Sequence, residues 1–171
     1  MKLFAFYIGG RVKGALVEVH DVRLCIGNKI EDCYEEIRRT WWGTPGSLHL
    51  DCWGELTSAD GYNISLQTEG DRSGNKLWFV NLGGYQSGDF NELHKNVFVV
   101  APDEAQAKIR ALKQVRGWTA HHKDTIFDVE DLACADDLFD HKGLSIVLEP
   151  TENPVPFVFA SGFNPAVRKV V

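Results

Sequence analysis

The sequence predicts an α+β fold built from two ββαββ copies. Two observations predict it: a phrase that returns once, and helix-period segments flanked by short apolar strands in both copies. Lys2-Leu3-Phe4-Ala5-Phe6-Tyr7-Ile8-Gly9-Gly10 returns as Lys76-Leu77-Trp78-Phe79-Val80-Asn81-Leu82-Gly83-Gly84, 74 positions later. At that offset Gly14 meets Gly88, Glu18 meets Glu92 and His20 meets His94; after one inserted residue Val22 aligns with Val97. Colinear self-similarity of this kind marks a duplicated structural unit. One copy with a single helix covers only one face of its sheet. The copies, 1–75 and 76–171, are therefore expected to associate about a pseudo-twofold axis as one compact unit with a shared core, helices packed on mixed or antiparallel sheet.

Each copy opens with a nearly continuous apolar strand, over 3–8 and 77–82, closed by Gly-Gly as a turn needing positive φ would require. A polar loop leads to a second strand, 22–26 or 97–100, that runs into a helix. Asn28 with Glu31 has the spacing of a capping box, and Pro102 followed by Asp103 and Glu104 suits a first helical turn. Ile30, Cys33, Tyr34, Ile37 and Trp41 give the first helix its apolar face; Ala105, Ile109 and Leu112 give the second. The third strand alternates Leu48, Leu50 and Cys52 with His49, Asp51 and Trp53, and His49-Leu50-Asp51 aligns with His122-Lys123-Asp124. The fourth strands are 62–66 and 144–148. The second copy adds an acidic insertion from Asp128 to Asp140, read as a loop with a helical turn, and a tail whose Pro154 and Pro156 suit an edge strand.

Composition narrows the function classes. The 171 residues are 44% hydrophobic and 25% charged, ordinary values for a folded protein, with 18 Lys+Arg against 24 Asp+Glu for a net charge of −6. A pI near 5.5 disfavours nucleic acid as a general partner, since phosphate contacts need concentrated positive charge. No apolar run approaches the roughly 20 residues of a membrane span, and the six apolar residues after Lys2 are too few for a secretory core. A cytoplasmic setting is expected. Cys25, Cys33, Cys52 and Cys134 form no C-x-x-C pair and read as reduced, mostly buried thiols. Arg38-Arg39-Thr40-Trp41-Trp42 combines guanidinium groups with indoles at a helix end, where cations complement the dipole and Trp closes a core.

The chemistry-bearing residues are four carboxylate–imidazole pairs at i, i+2: Glu18/His20, Glu92/His94, His49/Asp51 and His122/Asp124. On a strand that spacing puts both side chains on one face, where a carboxylate can orient an imidazole as base, ligand or hydrogen-bond donor. Across a twofold axis Glu18, His20, Glu92 and His94 would form an N2O2 set suited to a divalent metal; no H-E-x-x-H or other dense ligand run accompanies them. The acidic residues Asp128, Glu130, Asp131, Asp136, Asp137 and Asp140 lack the order and glycine of an EF-hand. No phosphate-binding glycine loop and no nucleophile elbow is present.

The phrase Phe6-Tyr7-Ile8-Gly9-Gly10 with Glu18-x-His20, and its second form Leu77-Trp78-Phe79-Val80-Asn81-Leu82-Gly83-Gly84-Tyr85 with Glu92-x-His94, resembles the family known as domain of unknown function 1543. The resemblance spans most of the chain and implies one or two domain copies and a bacterial origin. It carries no activity, substrate or cofactor. The residues themselves favour a non-enzymatic module that binds a small ligand or a protein partner between the copies. The alternative is a metal-dependent or general-base enzyme using the paired Glu and His residues. A homodimer joined through exposed strand edges is compatible with either.

Overall fold

The first apolar run forms β1 (Lys2–Gly10), which pairs antiparallel on one side with β2 (Val19–Gly27) and on the other with β3 (His49–Glu55). In the computed structural model, residues 1–68, 74–115, 128–139 and 143–168 are described, side chains at 128–130 excepted. The chain divides into two compact units: Met1–Ser58 with Val155–Val171, and Ala59–Pro154. The folding class is α+β, with antiparallel sheets and few helices. No helix among the described residues is long and apolar enough to cross a membrane.

In the first unit the sheet order is β10-β3-β1-β2, the edge strand β10 (Ala160–Asn164) coming from the C-terminal tail. Phe4, Phe6 and Ile8 alternate on one face of β1 and pack with Cys33, Tyr34 and Ile37 around α1 (Tyr34–Thr40) and with Trp41 beyond its end. The preceding turn, Ile30–Cys33, is 3-10 rather than α. Its cap sits one residue later than the sequence suggests, because the Asp32 carboxylate, not that of Glu31, accepts from the backbone N–H groups of Asn28 and Lys29. The C-terminal turn Pro165–Arg168 closes the same core through buried Val167. Arg38 donates to the Val167 carbonyl at 2.9 Å.

The second unit repeats the strand arrangement as β7-β6-β8: β6 (Lys76–Tyr85), β7 (Glu92–Ala101) and β8 (Asp128–Cys134). β8 corrects the reading of the acidic insertion as a loop with a helical turn. A bulge opposite Asn81/Leu82 places Val129 and Leu132 three apart, so the period-2 signal of a strand is broken. Among the described residues of that stretch, the helical part is α3 (Ala135–Phe139). His122 and Asp124 lie outside the described residues; in the sheet register Asp128 occupies beside Gly83 the place that His49 holds beside Gly9.

Helix α2 (Glu104–Gln114) begins at Asp103, whose carboxylate accepts from the Gln106 N–H at 2.8 Å. Its buried face is Ala107, Ala111 and Val115, with Ala105 and Ile109 exposed and Leu112 only partly buried, a correction to the predicted face. Small side chains let the helix lie close on the sheet, and size-weighted periodicity overlooks them. The fourth strands, β5 (Tyr62–Gln67) and β9 (Ser145–Pro150), pair antiparallel with Ile64 opposite Leu148, Ser65 opposite Val147 and Leu66 opposite Ile146. Sequence copies and compact units are thus different divisions of the chain. β5 lies in the unit of the second copy, and the tail returns to the first.

A hairpin turn at Asp60-Gly61, with φ of 49° and 80°, links the two-residue strand β4 (Ser58–Ala59) to β5. The Asp60 carboxylate then accepts from Val100 N–H at 3.0 Å and Arg110 at 3.3 Å, fastening the turn to β7 and α2.

Candidate functional site

Gly9 and Gly10 end β1 as regular strand residues; positive φ belongs to Gly14 and Gly88 in the loops beyond. This corrects the turn reading of Gly-Gly and supplies a different reason for glycine. In the sheet, Gly9 is flanked by His20 on β2 and His49 on β3. Paired residues share a face, and Gly9 follows core-facing Ile8, so this row lies on the face turned away from α1. Neighbouring strands run about 4.8 Å apart, so the flanking backbones are about 10 Å apart. Their side chains meet only because the middle residue has none. A Cβ on Gly9 would stand 2.7 Å from Asp51 Oδ2, 2.8 Å from His49 Nε2 and 2.9 Å from His20 Cδ2.

Four predicted residues therefore converge over Gly9: Glu18, His20, His49 and Asp51. Their partners are exchanged relative to the sequence pairs. Glu18 faces His49 across the sheet (Oε1 to Nε2, 3.5 Å), and His20 faces Asp51 (Nε2 to Oδ2, 3.4 Å). His49 and Asp51 remain together, Nε2 to Oδ1 at 3.3 Å, because a bulge in β3 opposite Tyr7/Ile8 turns Asp51 toward its neighbour. Glu18 precedes β2 and leans over the row, which i, i+2 spacing does not anticipate.

His49 is almost fully buried, with 4% of its side chain exposed, and its ring is fixed. Nδ1 lies 2.9 Å from the Ser47 carbonyl oxygen, an acceptor, so Nδ1 carries the hydrogen and Nε2 faces the carboxylates. Phe163 of β10 covers the ring at 4.6 Å between centroids. Arg168 donates to the carbonyls of Ser47 and Leu48, holding the turn that presents His49. Ser47 Oγ accepts from Arg11 N–H at 2.7 Å, tying the foot of the β1–β2 loop to that turn. His20 is more open and stacks parallel on Tyr7, centroids 5.2 Å apart. Tyr7, Ser47, Phe163 and Arg168 were not singled out from the sequence. Only the register could reveal them.

The acceptor side of the cluster is incomplete. Oδ2 of Asp51 is buried and makes no hydrogen bond, and Nε2 of His49 faces two carboxylates. Burial first, then the charge of Asp51, pushes the Tyr7 hydroxyl and the neighbouring Cys52 thiol above their ordinary values. Among the described residues, no group of three or more His, Cys, Asp and Glu side chains is arranged to hold a metal ion.

In the second unit Gly83 is flanked by His94 and Asp128, and His94 Nε2 lies 3.8 Å from Glu92 Oε2. The i, i+2 pair stays together there. Where the first unit has His49 beside Gly9 and Asp51 in the bulge of β3, the second has Asp128 beside Gly83 and Glu130 in the bulge of β8. The Arg-Trp segment is structural: Trp41 is buried and donates to the Thr44 carbonyl at 3.2 Å, while Trp42 is exposed.

The profile described as Domain of Unknown Function (DUF1543) matches residues 15–66, the segment holding Glu18, His20, His49 and Asp51. The crystal structure of a protein Il1583 from Idiomarina loihiensis is 32% identical, covers 95% of both chains and superposes with a TM-score of 0.68. No curated protein matches the chain. The chain belongs to the domain of unknown function 1543 family.

Proposed function

We propose that the protein is a small-ligand-binding module whose site is the Glu18/His20/His49/Asp51 cluster on the first unit, and that the ligand presents a cationic hydrogen-bond donor. The binding function is the one suggested by the sequence; the site proposed lies over Gly9 in the first unit instead of between the copies. The observation that carries it is the gathering of two carboxylates at His49 Nε2, Asp51 Oδ1 at 3.3 Å and Glu18 Oε1 at 3.5 Å, with the buried Asp51 Oδ2 making no hydrogen bond. An ammonium group has three donors and a charge that complements two carboxylates, and desolvated charge-assisted bonds are the strong ones. Four free cysteines fit a reducing, cytoplasmic compartment.

The test is ligand-observed NMR with cationic, neutral and anionic fragments against wild type, Asp51→Asn and Glu18→Gln. Cationic fragments should bind wild type and lose at least tenfold in affinity in both variants. Anionic hits, or cationic hits that survive both substitutions, would overturn the reading. So would a His49 imidazolium that supplies the missing donor itself and leaves no fragment bound.

A general-base enzyme is the second reading, favoured by one observation: Asp51 Oδ2 faces Nε2 of His20, as an orienting carboxylate faces a catalytic imidazole. Turnover abolished by His20→Gln with binding retained would select it.

A further inference from the structure

We propose that the cation site is gated by a proton: the proton that charges His49 and the cationic group of the ligand compete for the same two carboxylates, so that binding one expels the other. This rests on the reading above and supplies its regulation. The geometry fixes where the proton goes. Nδ1 of His49 lies 2.9 Å from the Ser47 carbonyl oxygen, which can only accept, so Nδ1 keeps its hydrogen in both charge states of the ring. The titrating position is therefore Nε2, which faces Asp51 Oδ1 at 3.3 Å and Glu18 Oε1 at 3.5 Å. Neutral His49 presents an acceptor there; the imidazolium presents a donor and a positive charge. The ring is held in place for this choice. Its side chain is 4% exposed, Phe163 covers it at 4.6 Å between centroids, and Arg168 holds the Ser47 carbonyl at 2.9 Å.

The surrounding charges set the direction. Glu18, just ahead of β2, and Asp51 in β3 favour the imidazolium. Arg168 of the C-terminal turn opposes it, with its guanidinium committed to the carbonyls of Ser47 and Leu48. His20 on β2 faces the other oxygen of Asp51, Oδ2, at 3.4 Å, so protonation of His20 puts no donor between Asp51 Oδ1 and Glu18. β1 brings Gly9, with no ionisable group, and Tyr7, stacked on His20; burial holds the Tyr7 hydroxyl and the Cys52 thiol above their ordinary values, so both are neutral near pH 7. β10 contributes the uncharged Phe163. Two positive charges in contact at Nε2 would repel strongly in a partly desolvated site. Acid therefore closes the site to cations, and a bound cation makes His49 harder to protonate by the same factor. Charge balances in the exchange: one ammonium enters and one proton leaves Nε2 for the solvent.

The experiment is calorimetric titration of methylammonium into the full chain from about pH 5.5 to about pH 8.5, the range in which an imidazole changes charge. Each titration is run in two buffers of different ionisation enthalpy, which counts the protons exchanged, and near-ultraviolet circular dichroism checks that the fold is kept at every pH. Kd should be constant at the alkaline end and weaken about tenfold per pH unit at the acid end, with about one proton released per ion bound there. Ring-nitrogen NMR at the acid end should show His49 Nε2 losing its proton as methylammonium saturates, while Nδ1 keeps its own. A Kd constant across the range with no proton exchanged overturns the gate and leaves the cation reading standing. Release of the proton from His20 in place of His49 does the same. Failure of methylammonium to bind at any pH removes the cation reading and the inference with it.

Discussion

At the residue scale, the two glycines that end β1 do different work, and substitution separates them. A Cβ on Gly10 would meet the packed Trp41 ring at 2.6 Å and the Ser47 backbone at 3.3 Å, neither of which can yield easily. Gly10→Ala is expected to cost about 1–3 kcal/mol in a urea denaturation, as overpacking does. A Cβ on Gly9 meets the tips of Asp51, His49 and His20 instead. Gly9→Ala should retain more stability than Gly10→Ala but scatter the cluster and abolish cation binding. A Gly9→Ala protein that binds as wild type would remove Gly9 as the floor of the site. Asp51 also raises the Cys52 thiol, after burial. Asp51→Asn should therefore increase the rate at which Cys52 reacts with a disulfide reagent at neutral pH, read in a protein lacking the other three thiols. An unchanged or lower rate would contradict the assigned charge effect. The sequence made the four site residues legible as i, i+2 pairs. Their exchange of partners was not legible, because it depends on which strands flank Gly9.

At the element scale, the C-terminal segment supports the site from outside the first copy's sequence. Arg168 holds the carbonyls of Ser47 and Leu48, and Phe163 covers His49. Arg168→Ala should destabilise the first unit by about 2 kcal/mol, the value of charged hydrogen bonds lost at a partly buried turn, and loosen His49. An unaltered denaturation midpoint would sink that assignment. In α2, Ala107→Leu should cost about 1–3 kcal/mol by lifting the helix off the sheet, whereas Ile109→Ala on the exposed side should change stability by less than about 0.5 kcal/mol. The reverse order would restore the face that periodicity suggests. Apolar strands at 3–8 and 77–82 were readable because they are continuous. β8 was not, since its bulge and three acidic residues hide the alternation, and the alanine face of α2 was not, since alanine weighs little in any hydrophobic pattern.

Asp136 adds a pH dependence at the same scale. It accepts from Leu77 N–H at 3.3 Å, joining α3 to β6, and burial is the largest cause raising its carboxyl above the ordinary value. The folded state therefore binds this proton more tightly than the unfolded chain. Its contribution is fully favourable below the unfolded value of 3.8 and is lost as pH rises through the higher folded value. Asp136→Asn keeps an acceptor for Leu77 and removes the charge. The variant should be the more stable protein at neutral pH, with the difference shrinking below pH 3.8. A variant less stable at neutral pH would show that the charge is favourable where it lies.

At the scale of the whole molecule, duplication and function part company. Both copies place a histidine beside the first glycine of a Gly-Gly pair in the central strand, His20 by Gly9 and His94 by Gly83. Only the first has a second histidine at the flanking register position, and the pattern of paired residues predicted from the sequence treats the two as equivalent. The asymmetry lives in the third strand, where His49 corresponds in register to Asp128, and a sequence alignment that matches His49 with His122 conceals it. Cation binding is accordingly expected to depend on His49 and to tolerate His94→Ala, read in the same fragment titration.

The most direct measurement is a long-range proton–nitrogen NMR spectrum of the imidazole rings, recorded while methylammonium is titrated into the full chain. The account predicts saturable shifts of His20 and His49 with one common Kd, and no matching change at His94 or the other three histidines of the six. Equal shifts at His94, or none at His20 and His49, would contradict a cation site over Gly9.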